Sequence, residues 1–387
     1  MAALERFLEP PRLRTTEDEE EERRSTWLEL FFDLVFVVAV AQLGQNLSDD
    51  PSFAGFLRYV ALFIPVWWAW MGFTFYADRF DTDDLVYRLL TLAGMLAVAA
   101  MSVNVRDAFE DGWSAFVASY ALQRTMLLLL YARAWRHVGE ARRLTTIYLA
   151  MFSFGLALWI VSAFLGSPQR YAVWGVALAV ELSAPLFGWR VITGAPAHPS
   201  HIPERFGLFT IIVLGEAVLA VVLGTTKTTW ETDAALVAAL GFVVAASLWW
   251  LHFDFLDTSL LSRGLAGLSY VFGHFPLVLG IAAFGVGTKL AILEAHEGSL
   301  SASARWILGI GLALALLAMA AIQVAGARSL WDPDLWLRAG SGLVVLAAVA
   351  FVSSPVALTA LLATVLVLQV AVEIAEHEAH TTPAGPL

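Results

Sequence analysis

From residue 27 onward the chain alternates long apolar runs with brief polar interruptions. Each run lasts roughly 20 residues, enough for a helix to cross about 30 Å of hydrocarbon. In such a solvent a helix is favoured because it satisfies every backbone N–H and C=O within the segment. Twelve segments are predicted: Trp27–Leu47, Phe53–Tyr76, Val86–Val105, Trp113–Tyr131, Thr146–Gly166, Tyr171–Ile192, Glu204–Gly224, Ala234–Asp254, Gly264–Thr288, Ala302–Ala325, Trp336–Phe351 and Pro355–Val372. The last two are short and joined by Ser353-Ser354-Pro355, so a re-entrant pair is the alternative to two crossings. The pattern predicts an all-α polytopic membrane protein of about 12 transmembrane helices.

Composition supports this reading. The 387 residues are 59% hydrophobic and 15% charged, against about 25% charged in soluble domains. The net charge of −11 is concentrated in the runs Glu17 to Glu22 and Glu373 to His380, both expected to be solvated tails. No basic patch supports nucleic-acid binding. Cysteine is absent, which excludes disulfides, thiolate metal sites and cysteine nucleophiles. The first 26 residues are charged and lack a small-residue cleavage site, so the first span is expected to be its own insertion signal. With the N-terminus inside, sixteen Lys and Arg fall on the cytoplasmic side, six fall outside, and Arg124 lies within a span. That bias predicts a multi-pass membrane protein with both termini cytoplasmic.

Two landmarks recur. Glu29 opens the first segment and Glu204 the seventh, an offset of 175. The next span of each half ends in D-x-x-D-T, at Asp78 to Thr82 and at Asp254 to Thr258, an offset of 176. These landmarks predict two six-helix repeats in parallel orientation, residues 27–192 and 204–372. An acidic tail at 1–26, a linker at 193–203 and a tail at 373–387 complete the organisation.

The string Trp27-Leu28-Glu29-Leu30-Phe31-Phe32-Asp33-Leu34-Val35-Phe36-Val37 resembles the opening signature of the bacterial low-temperature-requirement A (LtrA) family. Glu204-Arg205-Phe206-Gly207 with Gly215-Glu216 resembles its second-half pattern. The resemblance runs from about Trp27 to the last span. It implies a polytopic bacterial membrane protein, in a family named for a cold-growth phenotype, and leaves mechanism open.

Ionisable residues within spans are costly and usually paired. One layer is a rim at the cytoplasmic border: Glu29, Asp33, Asp78, Arg79 and Asp81 in the first half, and Glu204, Arg205, His252, Asp254 and Asp257 in the second. It reads either as a polar vestibule or as anchoring and helix–helix salt bridges, such as Asp33 or Glu29 with Arg79. Acidic residues at a helix start also complement the helix dipole. The second layer is deeper and comprises Glu216, Arg124, Glu181, His274 and Gln42. Glu216 lies twelve residues into its span, where a carboxyl suits a proton carrier, and Gln42 is its near-counterpart in the first half. Arg124 needs a carboxylate or several carbonyls, and Glu181 and Glu216 are the carboxylates available at similar depth, for a pair that reads equally as structural or functional. Pro185 frees the Glu181 carbonyl from the helical ladder. The tryptophans, as in Trp67-Trp68-Ala69-Trp70 and Trp249-Trp250, read in large part as an interfacial belt, with those nearer mid-span packing between helices as the alternative.

No cofactor is predicted. Two histidines alone do not argue for haem, and no zinc-ligand spacing is present. The Walker A loop, the G-x-S-x-G elbow and the HExxH helix are absent. Three functions stay open. The first is a proton-coupled secondary transporter of a small solute. The second is an enzyme acting on a lipid phosphate, with a metal held by the acidic rim. The third is a non-catalytic membrane component of cold adaptation. The expected partners are the bilayer and a small solute, and oligomeric state is unread.

Overall fold

The computed structural model describes residues 9–14, 25–192, 201–228, 231–256, 265–324 and 333–381. Among them are twelve long helices: α1 (Trp27–Asp49), α2 (Phe53–Arg79), α3 (Leu85–Asn104), α4 (Trp113–His137), α5 (Arg142–Ser162), α6 (Gln169–Ile192), α7 (His201–Thr225), α8 (Thr232–Phe255), α9 (Leu265–Leu293), α10 (Ala302–Val324), α11 (Pro333–Phe351) and α12 (Pro355–Thr381). Eleven are long and apolar enough to cross a membrane, while the apolar part of α11, Leu335–Phe351, is shorter. The chain is an all-α polytopic membrane protein. The outward leucines and phenylalanines, among them Leu34, Leu96, Phe164, Phe187 and Leu343, are exposed because their solvent is lipid.

One expectation about helix length is corrected. The final segment is not short, since α12 has 27 residues and runs through the acidic stretch as far as Thr381. Glu373 within it is buried, not solvated. The alanines and glutamates there are good helix formers, and a buried partner, described below, holds the carboxylate.

The chain divides into two compact units, Met1–Leu43 with Ala61–Leu208, and Gly44–Val60 with Phe209–Leu387. In the first, α3 packs on α4, α4 on α5, and α5 on α6. A short antiparallel ladder pairs β1 (Arg12–Leu13) with β2 (Phe80–Asp81) at the end of α2. Asp81 secures it by accepting from Arg14 at 3.0 Å and Arg12 at 3.5 Å. Arg133 donates to Glu9 O and holds Asp84 through two nitrogens, at 2.8 and 2.6 Å.

The tryptophan expectation divides. Trp67, Trp68 and Trp70 are buried in the middle of α2, whereas Trp249 and Trp250 are exposed. α2 is enclosed by its neighbours, so its large rings pack between helices instead of reaching the bilayer surface.

In the second unit α9 is the enclosed helix, packed on α8 and most extensively on α10. Glycine permits the close approach of α9 and α10. A Cβ on Gly287 would lie 2.4 Å from the Leu308 backbone, and one on Gly311 would lie 2.4 Å from Phe284 N. α8 also packs against α12, and α10 against α11.

Candidate functional site

The first unit carries a buried polar cluster where α1 and α7 begin and α2 ends. Local chemistry fixes its first member. Thr26 and Glu29 form a reciprocal capping box, with Thr26 N donating to Glu29 Oε2 at 2.7 Å and Glu29 N to Thr26 Oγ1 at 3.3 Å. That arrangement satisfies backbone donors left over at the helix start. Glu204, in the first turn of α7, accepts from Ser25 N at 3.1 Å through both oxygens. Both glutamates flagged as recurring landmarks therefore hold the start of α1.

One turn further along α1, Asp33 is fully buried. Its Oδ1 accepts from Trp70 Nε1 at 2.7 Å and from Arg205 Nη2 at 2.6 Å. Its Oδ2 is buried and makes no hydrogen bond among the described residues. The partner of Asp33 is thus Arg205, not Arg79. Arg79 donates instead to Tyr148 OH at 3.2 Å and lies over the Phe75 and Tyr148 rings. Asp78 bonds His201 Nδ1 at 3.0 Å, and His201 Nε2 lies 3.5 Å from Glu29 Oε1. His201 was expected in the linker before the seventh span. It is the first residue of α7 and is fully buried.

The first D-x-x-D-T end is consequently divided. Asp78 faces His201 in the interior, and Asp81 is half-exposed and engaged with the N-terminal ladder. These two carboxylates do not face a common ligand. In the second copy Asp254 is exposed, and Asp257 lies outside the described residues. No group of three or more His, Asp or Glu side chains among the described residues is placed to hold a metal ion.

Deeper in the first unit, Arg124 and Glu181 form a fully buried ion pair at 2.7 Å. Tyr120 OH completes it, accepting from Arg124 Nη2 and donating to Glu181 Oε2 at 2.7 Å. The guanidinium also lies 5.0 Å from the Phe152 ring centroid. Gln123, beside it in sequence, donates to Ala69 O at 3.0 Å. Gly155 makes room for the acid, since a Cβ there would lie 2.5 Å from Glu181 Cγ. In a charge pair this deep the mutual attraction and the bonds to Tyr120 offset the desolvation penalty of the two charges. Gln42 is half-buried on α1 in the same unit.

Three polar groupings among the described residues of the second unit bear on the candidate site. Glu216, half-buried on α7, has an Oε2 that makes no hydrogen bond among the described residues, and it interacts electrostatically with Lys289 of α9. Lys289 Nζ donates to Gln45 Oε1 at 2.9 Å, and Gln45 Nε2 to Asp49 Oδ1 at 2.6 Å. A polar track therefore runs from Glu216 to the last residue of α1. His252 and His274 meet edge to face at 5.3 Å between ring centroids, and His274 Nδ1 bonds Tyr270 O at 2.6 Å. Finally, Arg338 grips Glu373 through Nε at 3.1 Å and Nη2 at 2.7 Å, while Gln369 donates to the same carboxylate at 3.0 Å. Arg338 also donates to Phe255 O at 3.2 Å.

The sequence reading missed His201, Lys289, Arg338 and Glu373 as buried polar groups. Each lies at the border of a predicted apolar segment, where hydropathy does not distinguish a loop charge from a buried one. The available signal for Lys289 was its apolar flanks, in Gly287-Thr288-Lys289-Leu290-Ala291.

Twelve long helices among the described residues, eleven of them long and apolar enough to cross a membrane, define a multi-pass membrane protein that carries ion pairs in its apolar interior. Residues 24–372 match the bacterial low temperature requirement A protein (LtrA) family, and the chain belongs to that family. An uncharacterised protein of Rhizobium meliloti (strain 1021) is 27% identical over 293 residues, covering 72% of each chain.

Proposed function

We propose that this protein is a secondary transporter of the bacterial inner membrane that couples the movement of a small solute to protons, with Glu216 as the proton carrier. The supporting observation is the environment of Glu216: a carboxyl in the middle of a membrane-crossing helix, one oxygen buried without a hydrogen bond, and Lys289 within electrostatic reach. Such a carboxyl has two stable arrangements. Ionised, it is compensated by Lys289; protonated, it is neutral and leaves Lys289 to Gln45. Alternation between them changes the charge presented along the Lys289–Gln45–Asp49 track, and a coupled carrier needs such a change. The two recurring sequence landmarks support parallel halves, as in some transporters.

Reconstitution into proteoliposomes tests the proposal. A pH-sensitive dye inside the vesicles reports proton movement while small solutes are offered in turn. Wild-type protein is expected to move protons with one of them, and Glu216→Gln to lose the pH dependence of that flux. An active Glu216→Gln protein with unchanged flux and pH dependence would remove Glu216 from the mechanism.

A further inference from the structure

We propose that the solute is an α-amino acid held in the second unit between Glu216 and Lys289, its ammonium group on Glu216 and its carboxylate on Lys289. This rests on the transport reading above and names the solute class that the same site takes. Glu216 accepts no hydrogen bond among the described residues, and its Oε2 is buried. An ionised carboxylate is an acceptor at both oxygens, so Glu216 is open to a donor. Lys289 is 5% exposed, and its Nζ donates to Gln45 Oε1 at 2.9 Å. Two of its N–H bonds stay open, because an ammonium carries three. Glu216 and Lys289 act on each other electrostatically, yet they form no ion pair among the described residues.

The separation of the two charges is built into the helices. α7 and α9 already meet through backbone atoms beside the site. A Cβ on Gly285 would lie 2.6 Å from Ala217 Cα, and one on Gly224 would lie 3.3 Å from Lys289 O. The helices therefore cannot close further to bring the charges together. Ala217 follows Glu216, and Lys289 stands one turn beyond Gly285, so the two charged residues are offset along the helix axes by about 6 Å. Gln45 holds the lysine from α1. Its Nε2 is committed to Asp49 Oδ1 at 2.6 Å, which turns Oε1 toward Lys289. The other charged groups that act on Lys289 are Asp49 and the exposed Lys227.

A short zwitterion fills both sets of open positions. Its ammonium group donates to the oxygens of Glu216, its carboxylate accepts from the open N–H bonds of Lys289, and both contacts are charge-assisted. A lone cation would leave the donors of Lys289 open, and a lone anion would leave Glu216 Oε2 open. A buried polar group without a partner is costly, so either would bind more weakly. A zwitterion is also neutral overall and adds no net charge to the membrane interior, where charge is expensive. In an α-amino acid the two charged groups branch from one carbon, which suits protein groups about one helical turn apart.

The test is equilibrium binding to the full-length protein in nanodiscs, read as a rise in unfolding midpoint with ligand concentration. The protein amino acids are offered one at a time, each beside the amine that lacks its carboxylate and the acid that lacks its ammonium group. At least one amino acid is expected to bind about tenfold or more tightly than its amine and its acid. Lys289→Gln and Glu216→Gln should each weaken that binding by about tenfold or more. The inference is overturned if no amino acid binds, if the amine or the acid binds as well as its parent, or if either variant keeps wild-type affinity. Should the variants not be monodisperse, the comparison of ligands on wild-type protein decides alone. Binding and flux separate the two proposals. An amino acid that binds but drives no proton movement sinks the transport reading and leaves the site standing. Proton movement with a solute of another class, and no amino acid bound, sinks the site and leaves the transport reading standing.

Discussion

Arg338 and Glu373 illustrate the residue scale. In the sequence both stand at the border of an apolar segment and look like border charges. In the structure they form a two-point ion pair backed by Gln369 and the Phe255 carbonyl. Losing one partner strands the other's charge in the interior, which costs about 3–5 kcal/mol, whereas replacing both with apolar residues of similar size is often neutral. Arg338→Met is therefore expected to lower the unfolding free energy by about that amount. The double variant Arg338→Met with Glu373→Leu should recover most of it. Reversible unfolding in mixed micelles measures both. Arg124 is the contrasting case. Its mid-span position called for a carboxylate or several carbonyls, and Glu181 was one of two acids at similar depth. The role of Tyr120 between them was not legible, because a tyrosine in an apolar run reads as packing.

At the scale of elements, the close contact of α9 and α10 rests on backbone against backbone. At Gly287 no flexible side chain can yield, since Leu308 N and Cα are the atoms a Cβ would meet. Gly287→Val is expected to push the two helices apart at a cost of about 1–3 kcal/mol, the usual range for overpacking. A lower thermal unfolding midpoint with retained helix content would bear this out; an unchanged midpoint would show that the helices do not depend on this contact. The sequence marked both segments as spans but not as partners. Hydropathy records that a helix is apolar all round, and the position of a glycine becomes informative only once its neighbour is known. The β1–β2 ladder was invisible for a similar reason, since two residues of strand carry no periodicity.

At the scale of the whole molecule, the bias of Lys and Arg predicts both termini in the cytoplasm. The absence of native cysteine makes the prediction easy to check. In intact cells, Asp50→Cys should react with an impermeant maleimide, and Glu378→Cys should react only after the membrane is opened. Labelling of Glu378→Cys in intact cells would reverse the orientation or reduce the number of crossings by one. α11 is the helix on which such a change in count would turn, being the one whose apolar stretch falls short of the others.

The sequence by itself determined that the chain is a membrane protein, where its helices lie, and which family it belongs to. Those properties are local sums: a helix inserts because some twenty neighbouring residues prefer lipid, and a signature such as Trp27 to Val37 is a contiguous string. Only the tertiary structure decided which charges are paired. Asp33 meets Arg205 across 172 residues, and Asp78 meets His201 across 123. A carboxylate within a span requires a partner energetically, but several cations stand at similar depth. Which of them answers depends on the rotation and packing of helices distant in sequence, which a one-dimensional pattern does not contain.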